Sequence, residues 1–497
     1  MENKVVVVGA GLAGLVCAYK LSVSEACRSG QLSIEVVDSR PQAGGVIESL
    51  QVGDCLIESG PDSFITNKPY MLDLCRELGI EKRIISVNKK NRGAMVVHQG
   101  KLLPLPQGFI MLAPSQLLPF ALSPVLSWGG KLRALCDLFL PARESTAPEE
   151  SLAQFVRRRF GSEVLERLAQ PMVAGVYVGD AETLSSEAVA ERFVKMERTA
   201  GSVIRGLMAE RAGTTTGAGD ATRTGIESES NEVATSGARY GLFASFDGGL
   251  SVVVQALLDA MGDRVKFRLG QTVNKVDLEK SGQRATLTLS SGETLGCKQV
   301  VLTSAAAICA RLLQDIPQLA QPLSQISAAS SAVINFVFDR KQIRHPLNAF
   351  GAVIPESEIK KCRFTIIAFS FASLKYPRAP KDKVILRAFV GGVKGEDVIK
   401  LGDDQLIKAA LRDLDKLLGI NGTPSHQAVH RWPTSMPQYD VGHGKLLNDI
   451  DAALANLPNL YLAGNSYRGV GLPDCVNSGC QTAEKLLSKL KLGQLSV

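Results

Sequence analysis

The sequence predicts a mixed α/β fold with α+β insertions. Three observations carry that prediction. Residues 4 to 8, KVVVV, form the short unbroken apolar run that a strand buried on both faces requires. They lead through GAGLAG into a stretch where Leu12, Leu15, Tyr19 and Leu21 recur at helical spacing, and a second apolar run, Leu32 to Val37, ends at Asp38, completing a βαβ unit. Farther on, short β-rich runs (Val96 to His98, Val265 to Arg268, Ala285 to Leu289, Val300 to Leu302, Val333 to Phe338, Val384 to Val390, Leu460 to Ala463) alternate with helical stretches such as Asp403 to Leu418 and Gln481 to Leu490.

At about 150 residues per domain, a chain of 497 residues predicts three domains. Its composition, 45% apolar and 21% charged, is globular and excludes disordered, collagen-like and coiled-coil classes. The net charge of +7 is spread without a run of five basic residues. A nucleic-acid partner is therefore not expected, whereas acidic small molecules and anionic membrane surfaces are open. The ten cysteines include no CxxC pair, which reads as free thiols in a reducing compartment. No HExxH occurs and His426 with His430 lacks neighbouring ligands, so no metal site is expected. No signal-peptide pattern precedes the first strand and no apolar run reaches membrane-span length, which points to the cytoplasm.

Two segments break the alternation. Residues 102 to 141 are apolar but punctuated by Pro104, Pro106, Pro114, Pro119, Pro124 and Pro141, which predicts short helices and turns. They read as a buried helical subdomain or as a surface that dips into a bilayer. Residues 211 to 239, rich in Gly, Ser, Thr and Glu, read as a mobile loop.

Gly9, Gly11 and Gly14 complete GxGxxG between strand and helix. The first glycine permits the turn, the second lets a pyrophosphate approach the backbone, and the third lets helix and sheet pack closely. Asp38 ends the second strand, where it can accept bonds from ribose hydroxyls; Arg40 stands two residues on, but the acidic strand end argues against a 2′-phosphate. Gly44 and Gly45 make a close-approach loop after the second strand. Near the C-terminus a strand runs into Gly464 and Asn465, followed by GVGLP (Gly469 to Pro473) and a helix. A second helix N-terminus there suits the flavin end of FAD. No second strand-preceded GxGxxG occurs, so an oxidase or desaturase is expected ahead of a nicotinamide-dependent reductase.

The strings PMVAGVYVGD (171 to 180), FDGGLS (246 to 251), LRAFVGG (386 to 392), RWPTSMPQYDVGH (431 to 443) and LAGNSYRGVGLPDCVNSG (462 to 479) resemble the oxygen-dependent protoporphyrinogen oxidases, including the coproporphyrinogen-oxidising type. The likeness spans nearly the whole chain outside 211 to 239. It implies an FAD-binding Rossmann-like domain (1 to 85, 244 to 304 and 433 to 497), a mixed-sheet substrate domain (86 to 91, 201 to 243 and 305 to 432) and a helical membrane-binding domain (92 to 200). The implied reaction is a six-electron oxidation of protoporphyrinogen IX to protoporphyrin IX, or of coproporphyrinogen III to coproporphyrin III, in heme biosynthesis. Hydride passes from a meso carbon to the flavin, and dioxygen becomes hydrogen peroxide. A peripheral membrane contact, a homodimer, hand-over to a chelatase, and an organellar location after loss of a transit peptide are further expectations.

Carried over residue by residue, the resemblance gives Arg92 a substrate propionate and brings the Gly175 backbone against the substrate. It lets Phe350, Val353 and Phe389 clasp the macrocycle, with a third clasping position of unfixed register between Ile366 and Phe371. For FAD it implies Gly9, Ala10, Gly11, Leu12, Ala13 and Gly14, then Asp38, Ser39, Val46, Gly60, Pro61, Asp62 and Ser63. Val273, Trp432, Asn465, Val470, Gly471 and Leu472 complete that set. No residue is implied as an obligatory general base. Asp38 departs from the glutamate of many relatives, and SEACRSGQ lengthens the first βαβ connection. A flavin amine oxidase, a carotene desaturase and a non-enzymatic relative of the GDP dissociation inhibitor kind are the rival readings.

Overall fold

The computed structural model describes residues 3–88, 93–144, 146–213, 243–279 and 284–494. From the N-terminus, β1 (Asn3–Val8), α1 (Leu12–Ser22) and β2 (Leu32–Asp38) form the βαβ unit, and β3 (Met95–His98) and β4 (Lys101–Pro104) follow after several short elements. The principal helices of the next stretch are α2 (Leu117–Leu122), α3 (Trp128–Leu135), α4 (Leu152–Phe160), α5 (Gln170–Tyr177), α6 (Ser186–Ala200) and α7 (Val203–Gly213). Then come β5 (Val265–Leu269), β6 (Val273–Leu278), β7 (Ala285–Leu289), β8 (Thr294–Cys297) and β9 (Gln299–Leu302). The last part carries β10 (Ala328–Asp339), β11 (Gly351–Val353), β12 (Ala368–Phe371), β13 (Lys383–Gly391), β14 (His426–Pro437), α8 (His443–Ala455), β15 (Leu460–Leu462) and α9 (Leu472–Gln494).

The valine run of β1 is explained by its place in the parallel sheet β5-β2-β1-β9-β15. Val5 and Val7 enter the core under α1 and α9, while Val6 and Val8 enter a second core on the opposite face. A strand with a core on each side needs apolar residues at every position. β6, β7 and β8 form a small antiparallel sheet beside it.

A seven-stranded sheet, in the order β14-β10-β13-β12-β11-β3-β4, is antiparallel except where β11 meets β3. Ile334, Phe336, Leu386 and Ala388 on one face pack under the helix Asp403–Leu418, whose Leu406, Ala410 and Leu414 recur every four residues. The other face carries Val333, Asn335, Arg387 and Phe389, and Asn335 donates from Nδ2 to Glu58 O at 3.2 Å. A helical unit built from α2 to α7 has its own core, including Phe120, Phe155, Phe160, Val173, Phe193 and Ile204.

The expected boundaries shift in three places. Residues 95 to 104, predicted within the helical domain, are the strands β3 and β4 of the seven-stranded sheet. Residues 203 to 213, predicted with the substrate domain, are α7, whose Val203, Ile204 and Leu207 belong to the helical core. Strand β14 runs through Pro437, five residues past the predicted end of that domain at 432. For β3 and β14 the deciding partners, β11 and β10, are distant in sequence and leave no local signal, whereas α7 packs on the preceding α6. The remainder of the predicted loop, 214 to 239, lies outside the described residues, and so does Arg92.

Candidate active site

The glycine turn after β1 is held by a carboxylate. Asp38 accepts the Ala10 N–H at 2.6 Å through Oδ2 and the Arg40 N–H at 2.8 Å through Oδ1. The residue expected to meet a ribose therefore also shapes the turn, a role no spacing rule announces. A Cβ on Gly14 would stand 2.0 Å from Gly9 O, which is the close packing the third glycine was expected to permit. At Gly11 a Cβ would meet nothing within 4 Å. That open space borders the N-terminus of α1, which no side chain caps, so the unpaired N–H groups of its first turn are available to an anion. Arg40 donates to Gly45 O and its guanidinium lies 5.2 Å over the Trp432 ring. It closes the Gly44 to Val46 loop.

The C-terminal segments reach the same place because α9 packs on α1: a Cβ on Gly479 would stand 2.5 Å from Ala13 O. Gly464 donates its N–H to Ser478 Oγ at 2.9 Å, and Asn465 donates from Nδ2 to Ser435 O at 3.3 Å. Val470, Gly471 and Leu472 lead into α9. Val273 is buried at the start of β6, just beyond Gln271, whose N–H donates to Asp38 O at 2.9 Å. Trp432 Nε1 donates to Ser59 O at 2.9 Å, adjoining Gly60 and Pro61. Leu12 and Ala13 are buried in α1, while Ser39 is exposed beside Asp38.

Two features escape sequence reading. The first is Tyr439, within PQYDVGH, whose hydroxyl donates to Asn465 O at 2.6 Å and accepts the Gly469 N–H at 2.8 Å. One buried hydroxyl thus ties both ends of the loop between the two predicted flavin segments. Its ring stacks on His443 at 4.1 Å, and His443 Nε2 lies 2.8 Å from Tyr467 O. The motif was visible as a string, but its target lies some thirty residues on.

The second is a buried charge cluster between β13 and the Glu58 to Ser63 segment. Asp62, Oγ-bonded by Ser63 at 2.8 Å, pairs with Lys375 at 2.7 Å and Arg387 at 3.1 Å, and Glu58 pairs with Arg378 at 2.8 Å. Burial by itself would raise the Asp62 carboxyl, but Lys375, Arg387 and Arg378 hold it well below the usual aspartate range. Arg387 also donates to Gly60 O. The cluster therefore fixes the Gly60 to Ser63 segment against β13.

The wall above this floor follows from strand register. Val353 pairs with Ala368, Ala368 with Phe389, and Phe389 with Val333, so one row of small and apolar side chains crosses four strands on a single face. Opposite the row stands α5: a Cβ on Gly175 would lie 3.4 Å from Val353 Cγ1. Phe350 is not brought to this row. It precedes β11 and packs in a small core with Val87 and Tyr376, where it is 1% exposed. The next row holds Ser370, Arg387 and Asn335. Ser370 Oγ, Arg387 Nε, Asn335 Oδ1 and the nearby His430 Nε2 are buried without a protein hydrogen-bond partner. Orphaned buried polar atoms are costly, and a bound group with its own donors and acceptors would satisfy them. With the open space at Gly11, they make the residues present a fit for an extended dinucleotide.

Among the described residues there is no cluster that could hold a metal ion and no helix long and apolar enough to cross a membrane.

The family model for flavin containing amine oxidoreductases matches residues 12–487. A coproporphyrinogen III oxidase of Bacillus subtilis (strain 168) is 31% identical over 491 residues, 98% of this chain and 99% of that protein. A chloroplastic protoporphyrinogen oxidase of Nicotiana tabacum is 29% identical over 503 residues, 98% of this chain and 85% of that protein. The crystal structure of a candidate protoporphyrinogen oxidase from Exiguobacterium sp. 255-15 superposes with a TM-score of 0.82 at 26% identity, covering 98% of this chain and 99% of that one. Glycine turn, acidic strand end and matching fold run together over the whole length, and the chain belongs to the flavin-containing amine oxidoreductase family, an oxidoreductase with FAD as its cofactor.

Proposed function

We propose that this chain oxidises a porphyrinogen to the corresponding porphyrin, passing electrons through FAD to dioxygen. The observation that carries the reading is the row Val353, Ala368 and Phe389, with the side-chain-free Gly175 against its Val353 end. A planar macrocycle needs a wall without protruding polar groups, and a glycine at the edge of that wall adds no side chain to obstruct it. Ala368 takes the third clasping position, because direct pairing puts it between Val353 and Phe389. The names of the relatives agree with this substrate class. Bound FAD supplies a two-electron acceptor that dioxygen restores, and three rounds account for six electrons and three peroxides. The chain's own part is to bind and orient, a role that can carry much of the rate. Tyr439 holds the loop at Asn465 and Gly469, and the Asp62 cluster holds Gly60.

The test offers coproporphyrinogen III and protoporphyrinogen IX under air and follows porphyrin fluorescence with peroxide. Porphyrin from at least one, with three peroxides each, is expected. Oxidation of amines or polyenes with neither porphyrin formed would overturn the reading.

The segment that broke the sequence pattern supports a peripheral membrane contact as part of the same proposal. Leu118, Leu122, Trp128, Leu132 and Phe139 are between 65% and 84% exposed, all on or beside α2 and α3. Phe120, Val125, Leu126 and Ala134 of the same segment are buried. The segment 102 to 141 thus carries both buried and exposed large apolar residues. Five large apolar side chains displayed together suit an acyl boundary.

A further inference from the structure

Between α8, β15 and α9 lies a groove of about 550 Å³, within the size range of small-molecule sites. β15 is the edge strand of the parallel sheet. Val300 donates its N–H to Asn459 O at 2.9 Å and Ala463 donates to Leu302 O at 3.0 Å, so the odd-numbered residues of this stretch bond to β9. The Leu462 N–H then turns to the free edge, which borders the groove.

One wall is apolar, with Leu447, Ile450 and Leu454 of α8. The other is α9, where Lys485 and Lys489 stand four residues apart on one exposed face. Lys489 Nζ lies 5.2 Å over the ring of Tyr461, which also lines the groove. The acids at the rim are already neutralised: Asp451 by Arg468 at 2.5 Å and Asp474 by Lys68 at 2.6 Å. Neither lysine has a carboxylate within ion-pair distance among the described residues. The groove thus combines an apolar wall, an aromatic ring, a backbone donor and two lysines without a carboxylate partner among the described residues, Lys489 donating only to Pro458 O at 3.4 Å.

We propose that this groove is a second binding site, separate from the cleft at Gly175, for a flat apolar ring that carries carboxylates. The ring would lie against the α8 leucines, and the carboxylates would meet Lys485, Lys489 and the Leu462 N–H. A porphyrin product has that chemistry, so the choice of ligand rests on the function proposed above. The site would hold product after it leaves the cleft.

The experiment titrates holoenzyme with coproporphyrin III and follows quenching of porphyrin fluorescence. The wild-type protein is compared with Lys485→Glu combined with Lys489→Glu; both positions are exposed, and thermal denaturation with flavin absorbance confirms the fold. The expected result is loss of one equivalent of binding in the double variant, that site weakening roughly tenfold or more, with turnover unchanged. The neutral tetramethyl ester should not fill the groove. A double-variant titration that superimposes on the wild type overturns the proposal, and so does equal displacement by decanoate, which would make the site one for any apolar carboxylate. Failure of the functional reading looks different: no porphyrin forms from either porphyrinogen, while the lysine-dependent equivalent persists.

Discussion

Gly175 and Val353 face each other at van der Waals distance: a Cβ built on the glycine would lie 3.4 Å from Val353 Cγ1. Gly175→Ala should fold without strain, because that distance is an ordinary contact. Gly175→Leu would push its side chain past Val353 and over the apolar row beside it. It should keep FAD, shown by unchanged flavin absorbance, and lose roughly tenfold or more in kcat/KM for the porphyrinogen, the scale of one or two misplaced methylenes.

The glycines of the turn separate folding from cofactor binding. Gly14→Val places a Cβ 2.0 Å from Gly9 O and should lower thermal stability even without cofactor. Gly11→Ala meets no protein atom within 4 Å and should leave the apoprotein melting temperature unchanged while lowering the FAD-to-protein ratio. Flavin absorbance and a thermal melt of each apoprotein distinguish the two.

Tyr439→Phe removes a hydroxyl that serves Asn465 O and the Gly469 N–H together. Two buried backbone groups lose a partner, at a cost of about 1–3 kcal/mol. The flavin should bind more weakly, measured by titrating apoprotein with FAD, and its visible spectrum should shift as the loop relaxes. An unchanged FAD affinity would remove Tyr439 from the site.

Asp62→Asn leaves Lys375 and Arg387 facing a neutral amide in a buried position, which should destabilise the protein by about 3–5 kcal/mol in chemical denaturation. The sign of the pH effect follows from the lowered pKa of Asp62. An aspartate titrates lower in the folded state than unfolded, so its stabilisation is complete above the ordinary value of about 3.9 and is withdrawn as pH falls below it. The wild-type acid limb should therefore be steeper than that of the variant.

Phe139 is 84% exposed and Trp128 70%. Replacing either by Asp should weaken co-sedimentation with anionic lipid vesicles by roughly tenfold, from about 1.5–3 kcal/mol of lost apolar burial per side chain. Porphyrin formation in detergent should be unaffected.

The dinucleotide end of the site was legible because it is local. Gly9 to Gly14 and Asp38 fall within one βαβ unit, and the helix Asp403–Leu418 begins and ends where its periodicity says. Phe350 and Val353 were not separable by sequence: they lie three residues apart, and only the fold packs one with Val87 and Tyr376 and sets the other against Gly175. Between Ile366 and Phe371, the residue that pairs with both Val353 and Phe389 is Ala368, which strand pairing alone could single out. The charge cluster was invisible because Asp62 meets its cations more than three hundred residues along the chain.

By itself the sequence determined the chemistry: a glycine turn, an acidic strand end and a set of strings that together mean a flavin and a family. Tertiary structure decided geometry, namely that β3 and β4 join the seven-stranded sheet, that Tyr439 closes the flavin loop, and that Gly175 looks at Val353. The division has a physical cause. Turns, caps and periodicity are set by neighbours within one helical turn or one hairpin, whereas strand register and buried charge pairing are set by partners that only folding brings within a few ångströms.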